Sequence, residues 1–210
     1  MNSTSTHDTK RSEDVRARIN VLSEIPLSWS SFVTRLVELT KDFKNHVPGI
    51  GMCPQPNDEY LLYQTLIGTW PFEISTAEWN EYIARIQAYM AKAIKESKVY
   101  TSWTVPNQDY EQSVNNFIER ILSDGSFLSL FNEYQKYIAQ VGKLNSLSQL
   151  VLKMTLPGVP DTYQGTELWD FSLVDPDNRR PVDYSLRMKL LQSIKSRIND
   201  PTMIDELWKR

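Results

Sequence analysis

Residues 157–167 read PGVPDTYQGTE, and residues 6–14 read THDTKRSED. Each stretch follows residues that suit a β-strand and then continues into a loop rich in charged residues or glycine. The carboxyl ends of parallel barrel strands lie at one edge, where such folds place their working groups. We therefore interpret each stretch as a strand-to-loop junction, the kind of position at which a barrel would place its working groups.

The residues before each stretch predict the two strands. Residues 2–8 run as small and β-branched polar residues into the charged loop, which is typical of a strand entered partway. The short apolar run at residues 150–155 ends at Pro157 and fits a buried parallel strand. Periodicity alone leaves a helical continuation open there.

The residues between the two stretches are predicted to be helical. Apolar residues recur at spacings of three and four in six segments: 15–22, 32–43, 60–67, 79–94, 110–122 and 127–141. Ser75 and Glu78 fit a capping box before the fourth helix, and Asp124-Gly125 separates the last two, which should pack as a hairpin. Residues 46–56 form a Pro/Gly-rich loop, and Asp200-Pro201 should start a final helix through Trp208.

Composition excludes several classes of function. The 210 residues are 40% hydrophobic and 23% charged, with a formal net charge of −3 and acids mixed with bases. That pattern favours neither nucleic acid nor a membrane surface as a partner. The single cysteine, Cys53, cannot form an internal disulfide, and the first twenty residues lack the apolar run of a signal peptide. We expect a cytoplasmic protein without a metal or cofactor.

His7 and Asp8 are the first candidates for chemistry, because they place an imidazole and a carboxylate at the end of the first predicted strand. The alternative is structural. Asp8 or Ser12 could instead cap the helix that contains Val15 and Leu22.

The second stretch, Pro-Gly-x-Pro-x-x-Tyr-x-Gly-x-Glu, resembles the last barrel strand and loop of the α-amylase family of glycoside hydrolases and transglycosidases. Residues 6–8, Thr-His-Asp, resemble that family's motif at the end of strand seven. One branch of the family, the maltooligosyl trehalose synthases, is resembled more specifically, at residues 7–16, 61–71, 144–149 and 167–184.

The resemblance implies a fold that is mainly α, with a helical subdomain inserted between the last two strands of an incomplete (β/α)8 barrel. Residues 1–14 would hold strand seven and its catalytic loop, and residues 15–148 the inserted subdomain. Residues 149–210 would then hold strand eight, the substrate loop and the following helices. The length between the two stretches supports an insertion, since a minimal barrel needs one crossover helix there.

The implied activity is that of an isomerase, a glucosylmutase of trehalose biosynthesis. It would convert the reducing-end α-1,4 linkage of a maltooligosaccharide into an α,α-1,1 linkage with retention. Retention needs a nucleophilic carboxylate and an acid/base carboxyl group roughly 5 to 5.5 Å apart. In the family these come from strands four and five, which precede the counterpart of residues 6–8. We therefore expect this chain to be inactive alone and to need the missing amino-side half of the enzyme as a partner.

The resemblance also implies residue roles. Asp8 matches the third family carboxylate, a catalytic group that binds hydroxyls of the reacting glucose more tightly in the transition state, and His7 would bond the same ring. The other candidate substrate-binding residues are Lys10, Arg11, Tyr163, Gln164, Glu167, Asp175, Asn178, Arg179 and Arg180.

Each of these assignments has a structural alternative. Residues 175–183 could form a self-satisfied turn with surface ion pairs of little energetic weight. Tyr163 and Trp169 could stack on sugar rings or belong to the core. Glu167 could simply orient its loop.

Three functions therefore stay open for the chain as a whole. The first is a portion of a maltooligosyl trehalose synthase. The second is a helical module, derived from that enzyme, that binds a protein or a glucan. The third is a small self-contained glycosidase that uses Asp8 with Glu13, Asp14 or Glu167. The third is disfavoured, since Asp8 and Glu13 in one strand-to-helix turn cannot readily flank a sugar from opposite faces.

Overall fold

In a computed structural model of the chain, residues 2–209 are described, with the backbone alone at 208 and 209. The chain divides between residues 179 and 180 into two compact units. The first unit contains six α-helices among its described residues: α1 (Glu13–Glu24), α2 (Pro26–Thr40), α3 (Pro56–Thr69), α4 (Thr76–Ser97), α5 (Gln108–Ser123) and α6 (Gly125–Thr155). The expectation of a mainly α chain is confirmed.

The strands of the first unit are short. β1 (Asn2–Ser3) pairs in parallel with β4 (Pro160–Asp161), and β2 (Asn45–Val47) pairs antiparallel with β3 (Gly51–Cys53). The β2–β3 hairpin overlaps the Pro/Gly-rich loop predicted at residues 46–56, and Gly49 and Gly51 supply its positive φ angles. All six helices lie between β1 and β4 in the chain.

The helices form where apolar periodicity predicts them. Ser75 and Glu78 make the complete capping box at the start of α4, and the apolar stripe of that helix is buried at Tyr82, Ile86, Met90 and Ile94. Asp124 caps α6 by accepting a hydrogen bond from the amide of Phe127, and α5 packs against α6 as a hairpin. Each large apolar side chain buried in this core contributes about 1.5 to 3 kcal/mol.

Helix α1 lies between α3 and α6, and two glycines permit its close approach. A Cβ atom at Gly68 would lie 2.6 Å from Val15 Cγ1. A Cβ atom at Gly142 would lie 2.6 Å from Arg18 Cγ and 3.2 Å from Arg18 Cα. These contacts make α1 the element that connects the first motif to the helices.

The strand predicted at residues 150–155 is wrong, because these residues are the last turns of α6, which continues to Thr155. The first strand is also shorter than predicted: it ends at Ser3, and residues 6–9 form a turn. The parallel partner of β1 is instead β4, inside the quoted motif, with Asn2 opposite Pro160 and Ser3 opposite Asp161.

The second unit contains two helices among its described residues, α7 (Tyr184–Ser196) and α8 (Met203–Lys209). Asp183 caps α7 by accepting a hydrogen bond from the amide of Leu186. The last helix begins two residues later than predicted, since Pro201 and Thr202 form a turn held by the Asp200 carboxylate. None of the residues of α7 is buried.

Candidate functional site

The first motif follows β1 and the second contains β4. Because β1 and β4 pair in parallel, the chain runs on from both strands in the same direction. The amide of Asn2 donates a 2.7 Å hydrogen bond to the carbonyl of Val159, next to the β1–β4 pairing. Gly158 permits this approach, because its φ is +138° and a Cβ atom there would lie 2.6 Å from Asn2 Nδ2. The glycine of the Pro-Gly pair is therefore required by the close contact with β1.

His7 and Asp8 occupy the tip of a turn rather than the strand end. The turn is closed by a hydrogen bond from the amide of Thr9 to the carbonyl of Thr6, at 3.1 Å, and by one from the amide of Thr6 to Thr9 Oγ1, at 2.8 Å. His7 Nε2 lies 3.3 Å from Asp8 Oδ2, and the Asp8 side chain is 86% exposed. Asp8 therefore presents its carboxylate to solvent and does not cap α1.

Ser12 stands at the N-cap position of α1, but its side chain makes no capping hydrogen bond. The Ser12 hydroxyl donates instead to the carbonyl of Asp170, and Ser5 Oγ accepts from the amide of Glu13 at 2.9 Å. The capping alternative is thus wrong for both Asp8 and Ser12. The first motif is connected to residues near 170 rather than only to its own helix.

Asn178 bridges the two motifs. It lies in a 3₁₀ turn, Asp177–Arg179, and its Nδ2 donates to the carbonyl of His7 at 2.8 Å and to that of Thr6 at 3.4 Å. Its own carbonyl accepts a 3.3 Å hydrogen bond from the hydroxyl of Tyr163. One residue of the predicted substrate loop therefore connects the Asp8 turn with the Tyr163 loop.

Helix α4 anchors the loop that carries Asn178. Arg85 bonds both carboxylate oxygens of Asp177, at 2.7 and 2.9 Å, and also donates to the carbonyl of Phe171. Lys92 Nζ donates to the carbonyl of Asp175 at 2.8 Å. A bidentate Arg–carboxylate pair that is largely buried fixes direction as well as distance, so this loop is held firmly.

The basic residues of the first motif differ in their surroundings. Lys10 Nζ forms an ion pair with Glu96 at 3.3 Å on the surface. The side chain of Arg11 has two buried nitrogens, Nε and Nη2, with no hydrogen-bond partner in the described part of the chain, and Asn178 Oδ1 is in the same state. The backbone of Arg11 forms an isolated bridge with Leu173. Buried polar atoms are normally hydrogen-bonded, so these three are exceptions within the described part of the chain.

The remaining predicted site residues of the first unit are more exposed. Glu167 accepts a hydrogen bond from the amide of Gly165 at 3.1 Å, which supports a loop-orienting role, and Gln164 is exposed. Arg179 pairs with Asp175 at 3.0 Å, with both side chains about half exposed. Arg180 belongs to the second unit. Direct sugar contact stays a prediction for all of these residues.

Sequence reasoning missed the role of Asp14. Its side chain is buried, and Oδ2 accepts a 2.8 Å hydrogen bond from the amide of Asp170. Burial raises the pKa of the Asp14 carboxyl, and hydrogen bonds from Asp170 and Ser146 partly offset that rise. Asp14 thus holds the segment before the substrate loop against α1.

Arg18 was missed in the same way. Its guanidinium lies between the rings of Phe72 and Phe171, 4.6 and 3.9 Å from their centroids, and it donates to the carbonyl of Trp70. Burial lowers the pKa of Arg18 to about 10. A signal was present: charges at positions 14 and 18 share a face with buried Val21, so each needs a partner in the core.

The carboxylates proposed to join Asp8 in a self-contained glycosidase are engaged elsewhere. Glu13 accepts from Thr4 Oγ1 and lies 3.9 Å from Lys153 Nζ, and Asp14 is bonded to the Asp170 amide. Glu167 is bonded within its own loop. These structural roles weigh against the third function.

The described residues contain neither a metal-ligand cluster nor a membrane-spanning helix. Across residues 2–209, no three His, Cys, Asp or Glu side chains gather as a metal site would require. Among the helices that the structure describes, none combines the length and the apolar character needed to cross a membrane.

Comparison with known proteins identifies relatives of this chain. A Mycobacterium tuberculosis protein that bears the name maltooligosyl trehalose synthase is 41% identical over 203 residues, which cover 94% of this chain and 24% of that protein. A crystal structure of a maltooligosyl trehalose synthase is 38% identical, with a TM-score of 0.82 over 91% of this chain and 25% of that one. A glycosyltrehalose synthase is 44% identical, with a TM-score of 0.79 over 92% and 24%. No protein-family model matches the chain.

The coverage is asymmetric. Nearly all of this chain matches each relative, yet the chain spans only about a quarter of the relatives' length. The similarity in sequence and in fold therefore concerns one region of a longer kind of protein.

Proposed function

Since this chain belongs with the maltooligosyl trehalose synthases in sequence and fold, over about a quarter of their length, we propose that it forms one wall of the substrate site of such an enzyme. The whole site would rearrange the reducing end of a maltooligosaccharide from an α-1,4 to an α,α-1,1 linkage. The observation that carries this proposal is the Asn178 bridge, which brings the Asp8 turn and the Tyr163 loop to one place.

Asp8 would supply the carboxylate that binds hydroxyls of the reacting glucose. Its exposure at the tip of the turn supports this role, since the carboxylate is accessible from solvent. A bond to a sugar hydroxyl that tightens as the ring flattens lowers the barrier rather than the Michaelis constant. His7, 3.3 Å from the Asp8 carboxylate, would limit the orientations of that group.

Arg11 and Asn178 would support this wall from behind rather than contact the sugar through Arg11 Nε and Nη2 or Asn178 Oδ1, because those atoms are buried. The nucleophile and the acid/base would come from a polypeptide outside these 210 residues, as the family resemblance implies.

The test begins with the 210-residue chain alone. Incubated with maltopentaose, it should leave the concentration of reducing ends unchanged, because retaining chemistry needs two further carboxyl groups. Turnover by the purified chain would contradict this expectation and would favour a self-contained glycosidase.

The second arm adds a complement, namely the Mycobacterium tuberculosis relative from which the matched 203 residues have been deleted. Reducing ends should then fall as α,α-1,1 linkages form, and Asp8→Asn should lower that rate by about 100-fold or more, the usual effect of losing one transition-state contact. Asp109→Asn, which changes an exposed carboxyl at the start of α5, is the matched control and should leave the rate unchanged. Equal rates for the two variants would exclude Asp8 from the reaction.

A further inference from the structure

The second half of α6 carries a continuous exposed apolar surface. We call it the α6 apolar surface; its residues are 41% to 61% exposed, and they are Leu144, Leu147, Leu150, Val151 and Met154. Four of them follow the spacing i, i+3, i+7, i+10, which places them along one face of the helix. Leu152 and Leu156 lie on another side, toward β1, and are also more than half exposed.

The opposite face of the same helix is already occupied. Lys153 is buried and bonds Thr4 Oγ1 at 3.3 Å, and Asn145 Nδ2 donates to the carbonyl of Ala17 in α1 at 3.2 Å. Gly142 lies against Arg18. The α6 apolar surface therefore points away from α1. A contiguous row of large apolar side chains on one helix face is normally covered, and the described chain leaves this face of α6 exposed.

The neighbouring β1–β4 strand pair also lacks the cover that such an element normally has. β1 and β4 form a two-stranded parallel sheet, whereas parallel sheets normally have more strands and are covered on both faces. A cavity of about 390 Å³ lies beside β1 and is lined by Asn2, Thr4, Gln149, Leu152 and Leu156 among others. Open strand edges and apolar helix residues thus border one groove, and the polypeptide that fits it would offer both a strand and apolar side chains.

The length of the relatives suggests an occupant. The relatives contain roughly three quarters of their length beyond the region that this chain matches, and the fold of the matched region is preserved. We propose that the α6 apolar surface and the groove beside β1 dock the polypeptide that corresponds to this remaining part of a synthase. The proposal rests on the proposed function, because it names the partner that would complete the same site.

Binding is measured first, in the absence of sugar. The 210-residue chain is titrated by calorimetry with the Mycobacterium tuberculosis relative that lacks the matched 203 residues. Val151→Asp should weaken the association by about tenfold or more, since it places a charge in an apolar contact, and Leu147→Asp should do the same. Val105→Asp, at a 75% exposed valine in a loop, is the matched control and should change the affinity less than twofold. Thermal unfolding of each variant alone checks that folding is intact.

Three outcomes would overturn the proposal: no association at micromolar concentrations, equal affinity for Val151→Asp and Val105→Asp, and self-association. In the last case the chain would run at twice its 24.4 kDa mass by light scattering, and Val151→Asp would return it to 24.4 kDa, which would assign the surface to a second copy. If the partner binds and Val151→Asp weakens it, but the mixture leaves maltopentaose unchanged, the docking surface stands and the proposed function fails. If the mixture is active and Val151→Asp is without effect, the function stands and the docking surface fails.

Discussion

Asp14 is a buried carboxylate that joins two parts of the chain 156 residues apart, because its partner is the amide of Asp170. At the scale of single residues, Asp14 and Arg18 fix the position of residues 170 and 171, which precede the predicted substrate loop, against α1. Arg18 contacts Phe171, one residue beyond Asp170, so the two charges hold adjacent positions of the same segment. Loss of either contact would release the loop from one end.

The Asp14 carboxyl makes stability depend on pH in a definite direction. Burial raises its pKa above the ordinary 3.8, so the folded state binds the proton more tightly than the unfolded chain does. Its contribution is therefore complete below pH 3.8 and is lost as pH rises through the raised pKa. Asp14→Asn keeps an acceptor for the Asp170 amide but cannot ionise. We expect the stability of Asp14→Asn relative to the unsubstituted chain to increase between pH 3.5 and pH 7, measured by urea unfolding.

Asp14→Ala serves as the control for that experiment. It leaves the Asp170 amide unsatisfied, so it should destabilise at both pH values, by about 1 to 3 kcal/mol. A difference between Asp14→Asn and the unsubstituted chain that is constant with pH, or that grows in the opposite direction, would show that the carboxyl does not titrate in this window.

Hydrogen bonds between distant parts of the backbone are hard to predict from sequence. The membership of Asn178 in the site was predicted from the family resemblance and stays a prediction, and its bonds to the carbonyls of Thr6 and His7 carry no sequence signal. Such contacts depend on where two distant backbones meet. Asp14 and Arg18 could have been found, because charged residues on a buried helical face must acquire partners.

At the scale of elements, the helices were predictable and the strands were not. Periodicity of three and four identified α4, α5 and the first half of α6, since each has one buried face. Residues 150–155 were predicted as a strand because four of the six residues are apolar, three of them consecutive, and show no helical period. The cause is the α6 apolar surface itself: a helix end that is apolar on several sides lacks the alternation that reveals a helix.

The packing of α6 on α1 yields a matched pair of glycine substitutions. Gly142→Ala would place a Cβ atom 2.6 Å from Arg18 Cγ, so α6 would have to move, and we expect a loss of about 1 to 3 kcal/mol in the free energy of unfolding. Gly125→Ala lies in the first turn of the same helix with no atom within 4 Å of the added Cβ. It should be neutral or stabilise by up to about 1 kcal/mol, because alanine restricts the unfolded chain.

Chemical denaturation of the two variants under identical conditions makes this comparison. Equal stability of Gly142→Ala and Gly125→Ala would show that α1 and α6 accommodate the extra methyl group without cost. The close approach at Gly142 would then not be a determinant of the fold.

At the scale of the whole molecule, the prediction that the two motifs meet was made from a family resemblance, and the parallel pairing of β1 with β4 agrees with it. Composition and periodicity could not have made that prediction, because neither reports on residues more than 150 positions apart. The barrel that would surround these strands stays a prediction. The domain boundaries at residues 14 and 148 likewise stay a prediction, although the described chain forms compact units of residues 1–179 and 180–210.

The division into two units predicts how the chain tolerates truncation. Residues 1–179 contain the partners of their own buried charges: Asp170 for Asp14, Phe171 for Arg18, and Asp177 for Arg85. A chain that ends at residue 179 should therefore unfold in urea at the same midpoint as the main transition of the full chain.

A chain that ends at residue 156 keeps all six helices of the first unit. It loses the partners of Asp14, Arg18 and Arg85, the pairing of β4 with β1 and the buried side chain of Leu173. Because buried charges left without partners cost about 3 kcal/mol or more in total, its midpoint should fall well below that of residues 1–179. Equal midpoints for the two truncated chains would show that residues 157–179 do not stabilise the helices. The Asp8 turn and the Tyr163 loop would then lack the rigid support that a shared binding site requires.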